Sequence, residues 1–450
     1  MKRGCFLFLG MGIFVCFFSG VSAEERNDSV KVDSSEIYGD TPPEYLPFGR
    51  FTKPYKTFFL EPLEYTGYGR HIPEPEHVDT VRIGFIGPIM KTVSVAIGGP
   101  SHEEPLGVKM LQGARMAIEE ANARGGYRGK TPYELMVHND NGLWGASGSE
   151  IIDMAYKENV WAILGTIDGS NSHIAIRVAL KIEIPMMNTG DTDPTFIETN
   201  IPWVFRNITD DRQMCYLLAD FAFKKIGLRR VAALRAGNRY GRMSIDEFRD
   251  GATRLGYPFV TELQYKVGDT DFIPQLQRIQ ALKADGVITY GNAYESALIL
   301  KQMREMGMDQ WFLGSDRMVT QEFLDIVGEN PGKVAAGYPY DPHSEDPLYL
   351  QFCNDFHDRF GEEPETYAIH AYEGMKMIIE AIEKAGLNRA LIRDVLAEMT
   401  AQPYHSVTGE KIFDAVFTSR TPALLAILEK GKFNFYRYNE IFDENLSWGG

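Results

Sequence analysis

From Val81 onward the chain repeats one unit: a short apolar run, a polar turn, then a longer stretch whose apolar residues return every three or four positions. The runs cover residues 81–86, 133–137, 160–164, 184–187, 230–234 and 286–290. Between them, Leu106, Met110, Leu111, Ala114, Ala117, Ile118 and Ala121 fall on one face of a helix, and so do Ala368, Ala371, Tyr372, Met375, Ile378, Ile379 and Ile382. A strand that is apolar along its whole length must be covered on both faces, so such strands alternating with amphipathic helices predict parallel sheets between helix layers. The span is long enough for two such sheets. The pattern therefore predicts an α/β protein of two Rossmann-like, three-layer lobes.

Two stretches before Val81 break the pattern. Residues 1–23 place Lys2 and Arg3 ahead of an apolar run that exits through Val21, Ser22 and Ala23, the anatomy of a secretory signal peptide cleaved after Ala23. Gly4, Gly10, Gly12 and Gly20 interrupt the run and argue against a membrane span. No comparable run follows, so the exported remainder is expected to be soluble and periplasmic or otherwise extracytoplasmic. Residues 24–79 carry Pro42, Pro43, Pro47, Pro54, Pro62, Pro73 and Pro75, too densely spaced for a helix or a central strand. Tyr45, Phe48, Phe51, Tyr55, Phe58, Phe59, Tyr65 and Tyr68 make the same stretch too aromatic for a plain linker. This N-terminal extension is expected to lie as a strap against the main body, with docking to another protein as the alternative.

Composition narrows the function. With 450 residues, 44% of them apolar and 24% charged, the chain reads as a globular protein of more than one domain. Its 62 Asp+Glu against 46 Lys+Arg give a net charge of -16, which repels phosphate backbones and anionic lipid, so nucleic acid is not expected as a partner. Beyond the signal only Cys215 and Cys353 remain, too few for a disulfide framework. Gly84-Phe85-Ile86-Gly87-Pro88 lacks the third glycine of a dinucleotide loop, and Gly145-Ala146-Ser147-Gly148 misses a nucleophile elbow by one residue. His138-Asn139-Asp140-Asn141-Gly142 resembles the start of a calcium loop, but Gly148 stands where the closing glutamate belongs. The expectation is a protein that is not an enzyme, with no catalytic residues, metal or cofactor.

Ligands of open α/β sheets bind beyond the carboxyl ends of the strands. There this sequence concentrates polar residues: Gly165-Thr166-Ile167-Asp168-Gly169-Ser170-Asn171-Ser172-His173, and then Asn188-Thr189-Gly190-Asp191-Thr192-Asp193-Pro194. A helix opening near Ser170 presents free N–H groups to a polar or anionic group, although Ser170 and Thr192 also suit simple helix caps.

These loops belong to a longer series of matches. VRIGFIGPI, GVKMLQGARMAIEEANARGG, the two loops, WVFRNITDDRQ, NRYGR, ADGVITYGNAYESALILKQMREMGM and FLGSD follow one another in the order of the branched-chain amino-acid-binding proteins. From about Val81 to about Tyr438 the chain resembles this family, the type I periplasmic solute-binding proteins that deliver ligand to ABC transporters. The resemblance implies a Venus-flytrap of two lobes joined by three hinge crossings, after Trp203-Val204-Phe205-Arg206, near 337–340 and near Val416. The lobes would comprise residues 80–206 with 341–415, and 207–340 with 416–438, leaving 439–450 as a tail. Cys215 and Cys353 would then lie on different lobes and stay unpaired.

The resemblance also implies a site. Gly169, Ser170 and Asn171, with Gly190, Asp191 and Thr192, match the loops that hold a ligand carboxylate. Tyr240, the loop with Tyr290, Asn292 and Tyr294, and Asp316, matching the acid that pairs with a ligand ammonium, would come from the other lobe. Asp168 and Asp191 are acidic where the family is usually neutral, and Arg317 beside Asp316 could invert that end of the site. Trp144 is a candidate wall for an apolar or ring-shaped ligand. The function implied is capture of a small polar, amino-acid-like ligand and its delivery to an ABC transporter permease. The alternatives are a ligand sensor for a membrane receptor or, more remotely, an enzyme on the same scaffold.

Overall fold

The apolar runs form two sheets. The computed structural model describes residues 62–92, 101–143, 145–197 and 199–443, so the signal-like segment, the extension through Glu61, and Trp144 lie outside the described residues. In the first sheet β1 (Val81–Gly87), β2 (Tyr133–Asn139), β3 (Ile163–Leu164), β4 (Met186–Asn188) and β5 (Val204–Arg206) are all parallel, in the order β2-β1-β3-β4-β5. In the second, β6 (Val231–Ala236), β7 (Thr261–Tyr265), β8 (Gly286–Ile288), β9 (Trp311–Gly314), β10 (Val334–Tyr338), β11 (Leu424–Glu429) and β12 (Lys432–Tyr436) lie in the order β12-β11-β10-β9-β8-β6-β7. The last two strands run antiparallel, where the sequence pattern led us to expect a parallel sheet. For β12 the reason is local: Lys430 and Gly431, at φ 51° and 79°, form a two-residue turn with the left-handed geometry that folds β11 directly back on itself, whereas β11 enters antiparallel to β10 from the third passage.

Among the helices covering these sheets are α1 (Pro105–Ala123), α2 (Gly169–Ile182), α3 (Asp211–Asp220), α4 (Arg239–Arg254), α5 (Ala293–Glu305), α6 (Pro347–Phe360), α7 (Thr366–Ala385) and α8 (Arg389–Ala397). The residues that marked α1 and α7 in the sequence are mostly buried, as an amphipathic period requires. Gly113 allows the two helices to approach, since a Cβ there would stand 1.9 Å from the Ala368 carbonyl oxygen.

The chain passes between the sheets three times, and the three passages are bonded to one another. Arg206 N donates to Phe417 O at 2.9 Å and Ser419 N to Arg206 O at 2.8 Å. Thr209 Oγ1 lies 3.2 Å from Pro339 O and 3.0 Å from Thr421 O. Arg206, fully buried, donates to Thr418 Oγ1, the Asp193 carbonyl and Asp210 Oδ2 at 2.8, 2.7 and 3.1 Å. After β12 a short helix, Tyr438–Ile441, buries Ile441 in the second lobe, inside the stretch read from sequence as a tail.

The described end of the extension lies on the first lobe. Tyr65 packs its ring edge-on to Trp203 at 4.8 Å and donates its hydroxyl to Glu183 at 2.6 Å. Asn388 donates to the carbonyls of Gly69 and Ile72, Arg393 to that of Leu63, and Arg70 pairs with Asp394 at 2.9 Å. Cys215 on α3 and Cys353 on α6 are both free thiols.

Candidate functional site

The loops that leave the carboxyl ends of the two parallel sets meet in one buried polar layer. On the first lobe, β2 runs into Asp140, which is fully buried and accepts from Gly142 N at 2.9 Å and Ser147 Oγ at 3.3 Å. After β3, Asp168 stands at the N-cap of α2 and Gly169 opens the helix. Gly169 is pressed between lobes: a Cβ would lie 2.9 Å from Asp193 Oδ2 and 3.1 Å from Arg239 Cδ. After β4 the chain winds through successive side-chain turns, with Asn188 accepting from Asp191 N, Asp191 from Asp193 N and Asp193 from Thr195 N at 2.9, 3.0 and 2.8 Å. Those bonds hold three carboxylates or amides inside the protein.

From the second lobe, Asn238 caps α4 by accepting from Gly241 N at 2.9 Å and so aims Arg239 and Tyr240 at the first lobe. Arg239 crosses the gap, its Nε 2.8 Å from Asp193 Oδ2 and its Nη2 2.7 Å from Thr195 Oγ1 and 2.8 Å from His173 Nε2. Arg317 makes the second crossing. Its Nε donates to Tyr367 on α7 of the first lobe and its Nη1 to Asn292 on its own lobe, both at 2.9 Å, and its guanidinium carbon stacks 3.7 Å above the Tyr240 ring. Tyr240 also reaches Asp316 Oδ1 at 3.4 Å, and Asp211 accepts from Ser244 Oγ at 2.6 Å.

Seven of the residues singled out in the sequence therefore gather here: Gly169, Asn171, Asp191, Thr192, Tyr240, Asn292 and Asp316. Thr192 adds its carbonyl, which accepts from Asp211 N at 2.9 Å. Ser170 is half-buried on the second residue of α2. Tyr290 lies beneath the layer, its ring edge-on to Tyr240 at 5.9 Å. It has 0% exposure within the second lobe's core and its hydroxyl meets Cys215 Sγ at 2.9 Å, because the apolar run that carries it continues inward past the end of β8. Tyr294 points outward from α5 with 44% exposure. The sequence reading missed Arg239, Asp193, His173, Asp211 and Tyr367. Arg239 was visible inside NRYGR and Asp193 inside the second polar loop, but nothing in the sequence marks Tyr367.

Burial dominates the electrostatics. It lifts the Asp191 carboxyl to about 7, with the charge of Asp193 adding to the rise. Burial likewise raises Asp140, Asp211 and Asp316, the last against the opposing pull of Arg317. His173 is lowered, first by burial and then by Arg239. Burial also works against the charge of Arg317, but the fields of Tyr367, Tyr240, Asp168 and Asp316 outweigh it and hold the guanidinium charged. The layer thus offers a fixed cation, aromatic faces and several carboxyls raised by burial, all contributed jointly by lobes on separate sheets. Such an arrangement can enclose and orient a small polar molecule.

A family model described as periplasmic binding protein matches residues 80–428. The chain belongs to that family. Leu/Ile/Val-binding protein homolog 2 of Brucella abortus is 25% identical over 350 residues, which cover 77% of this chain and 93% of that protein. Among solved structures, the branched-chain amino acid transporter substrate binding protein LivJ from Streptococcus pneumoniae, in complex with isoleucine, superposes with a TM-score of 0.69 at 21% identity, covering 79% of this chain and 99% of its own. A solute binding protein of an ABC transporter from R. palustris, in complex with benzoate, does so with a TM-score of 0.69 at 16% identity, covering 79% and 95%. The two sheets and three passages described above are this periplasmic binding protein's version of the type I fold.

Proposed function

We propose that this chain is a non-catalytic receptor, exported through residues 1–23, that encloses a small carboxylate-bearing solute between its lobes and hands it to the membrane permease of an ABC transporter. The observation that carries the reading is the buried polar layer built jointly by Asp168 to Asn171 and Asp191 to Asp193 of one lobe and Tyr240, Asn292, Asp316 and Arg317 of the other. Ligand contacts shared between lobes couple binding to closure, which is the signal a permease can read. The family relatives support the solute class. Solved neighbours are described in complex with isoleucine, leucine, benzoate and 3,4-dihydroxybenzoic acid, all carboxylic acids. In the proposed site Tyr290 has no part, Tyr294 is peripheral, and Arg317 and Tyr367 join the set.

The test is direct. Protein purified from its own exported fraction is mildly denatured, and the released small molecules are identified by mass spectrometry. A carboxylic acid that rebinds to refolded protein and is recovered unchanged supports the reading; recovery of a converted product overturns it.

A further inference from the structure

Four arginines lie buried or half-buried around the cleft, and three are neutralised at close range. Arg206 Nη2 is 3.1 Å from Asp210, Arg212 Nε 2.9 Å from Glu247, and Arg239 Nε 2.8 Å from Asp193. Arg317 is the exception. It is 5% exposed, yet the nearest carboxylate oxygen, Asp168 Oδ1, is 3.9 Å from its Nη2. Its Nε and Nη1 hydrogen-bond to the neutral acceptors Tyr367 and Asn292, and its Nη2 makes no hydrogen bond among the described residues.

We propose that Arg317 is the specificity-determining residue of this protein, and that its Nη2 edge takes the ligand's carboxylate from the second lobe. The proposal rests on the carboxylate-solute reading given above. The Nη2 edge is the part of the guanidinium left without a hydrogen-bond acceptor, and a carboxylate approaching to 2.7–2.9 Å supplies one. The direction of approach is already set. Tyr367 and Asn292 pin two of the three nitrogens and Tyr240 backs the plane, so Nη2 loses little rotational freedom when it binds. The opposite wall reinforces the choice, because the first-lobe loops present Asp140 and Asp191, whose charge repels an anion wherever either is ionised, while Asp193 is already paired with Arg239. The anionic end of the solute is thereby turned toward Arg317, and its uncharged or cationic remainder toward the first lobe. This is the reverse of the polarity that matching Gly169 to Asn171 with a carboxylate loop led us to expect.

The probes are L-leucine, L-isoleucine, benzoate and 3,4-dihydroxybenzoate, each beside its carboxamide, titrated calorimetrically into the parent, Arg317→Gln and Arg317→Lys. At least one acid is expected to bind the parent. Arg317→Gln should weaken that acid by roughly thirty-fold or more, the loss of a charge-assisted hydrogen bond, while its affinity for the matching amide changes less than threefold. Arg317→Lys should recover part of the loss. Without ligand, Arg317→Gln, whose amide still offers a donor to the Tyr367 and Asn292 acceptors, should melt close to the parent. A lower melting point together with equal losses for acid and amide would make Arg317 a strut between lobes and overturn the proposal. Unchanged acid binding in Arg317→Gln would overturn it as well, leaving the carboxylate-solute reading intact. A parent that binds none of the acids would overturn that reading and this proposal with it.

Discussion

Asp191 and His370 titrate in the same pH window with opposite consequences for the fold. Asp191 is raised from 3.8 to about 7, so the native state prefers the protonated acid, and stability falls as pH rises through that range. His370, fully buried on α7 with its ring nitrogen Nδ1 2.8 Å from the Thr366 carbonyl, is lowered from 6.5 to about 4 by burial and then by Lys411. Its neutral form is the native one, so stability falls as pH drops from 6.5 toward 4. The two shifts correspond to about 4 and about 3 kcal/mol at roughly 1.36 kcal/mol per unit, and they largely cancel in the parent. Substitution should unmask each. In urea unfolding, the stability of Asp191→Asn relative to the parent should rise by about 4 kcal/mol between pH 4 and pH 7. That of His370→Asn, which keeps a donor for Thr366, should fall by about 3 kcal/mol between pH 4 and pH 6.5. A constant difference across the window would refute the assignment for that residue.

At the scale of elements, α4 carries the contact that holds the lobes together at the rim of the cleft. Arg239 is 25% exposed while its partner Asp193 is buried, so removing the cation leaves Asp193 uncompensated only when the lobes are together. With allowance for solvent at the arginine, Arg239→Met should cost the closed arrangement about 2 kcal/mol and move the balance toward the open one about thirtyfold. A spin-label distance between α2 and α4 that keeps the parent's distribution would rule this out. The same element shows where the sequence was legible. NRYGR pointed to Tyr240, which stands 3.4 Å from Asp316 at the capped start of α4, where local chemistry fixes the first residues of the helix. Tyr290 went astray because an apolar run does not declare where its strand stops and its core begins. Tyr367 was invisible, since its part depends on α7 returning to the first lobe some 160 residues after β5.

For the whole molecule, the alternation of apolar runs and helical periods was enough to indicate two parallel α/β layers, since covering both faces of a strand leaves few other solutions. The antiparallel edge escaped because direction is encoded in the third passage that leads into β11 and in the turn at Lys430 and Gly431 that follows it, rather than in the apolar residues of β11. Of the strap's rings only Tyr65 and Tyr68 lie among the described residues, and they differ: Tyr65 meets Trp203 while Tyr68 is 78% exposed. Tyr65→Ala removes that ring and the hydroxyl held by Glu183, and should cost about 3–5 kcal/mol by the usual measure for a buried aromatic, with Trp203 emission shifted to the red. An unchanged melting point would mean that the strap rests on the body without supporting it. All the contacts described for the strap, to Tyr127, Glu183, Trp203, Asn388, Arg393 and Asp394, are on the first lobe and none on the second. A partner that gripped the described stretch from Pro62 to Asp79 would therefore grip a single jaw. Held that way, the molecule would behave as a vice with one fixed plate, in which β6 to β12 and their helices swing while the strap-bearing half stays still.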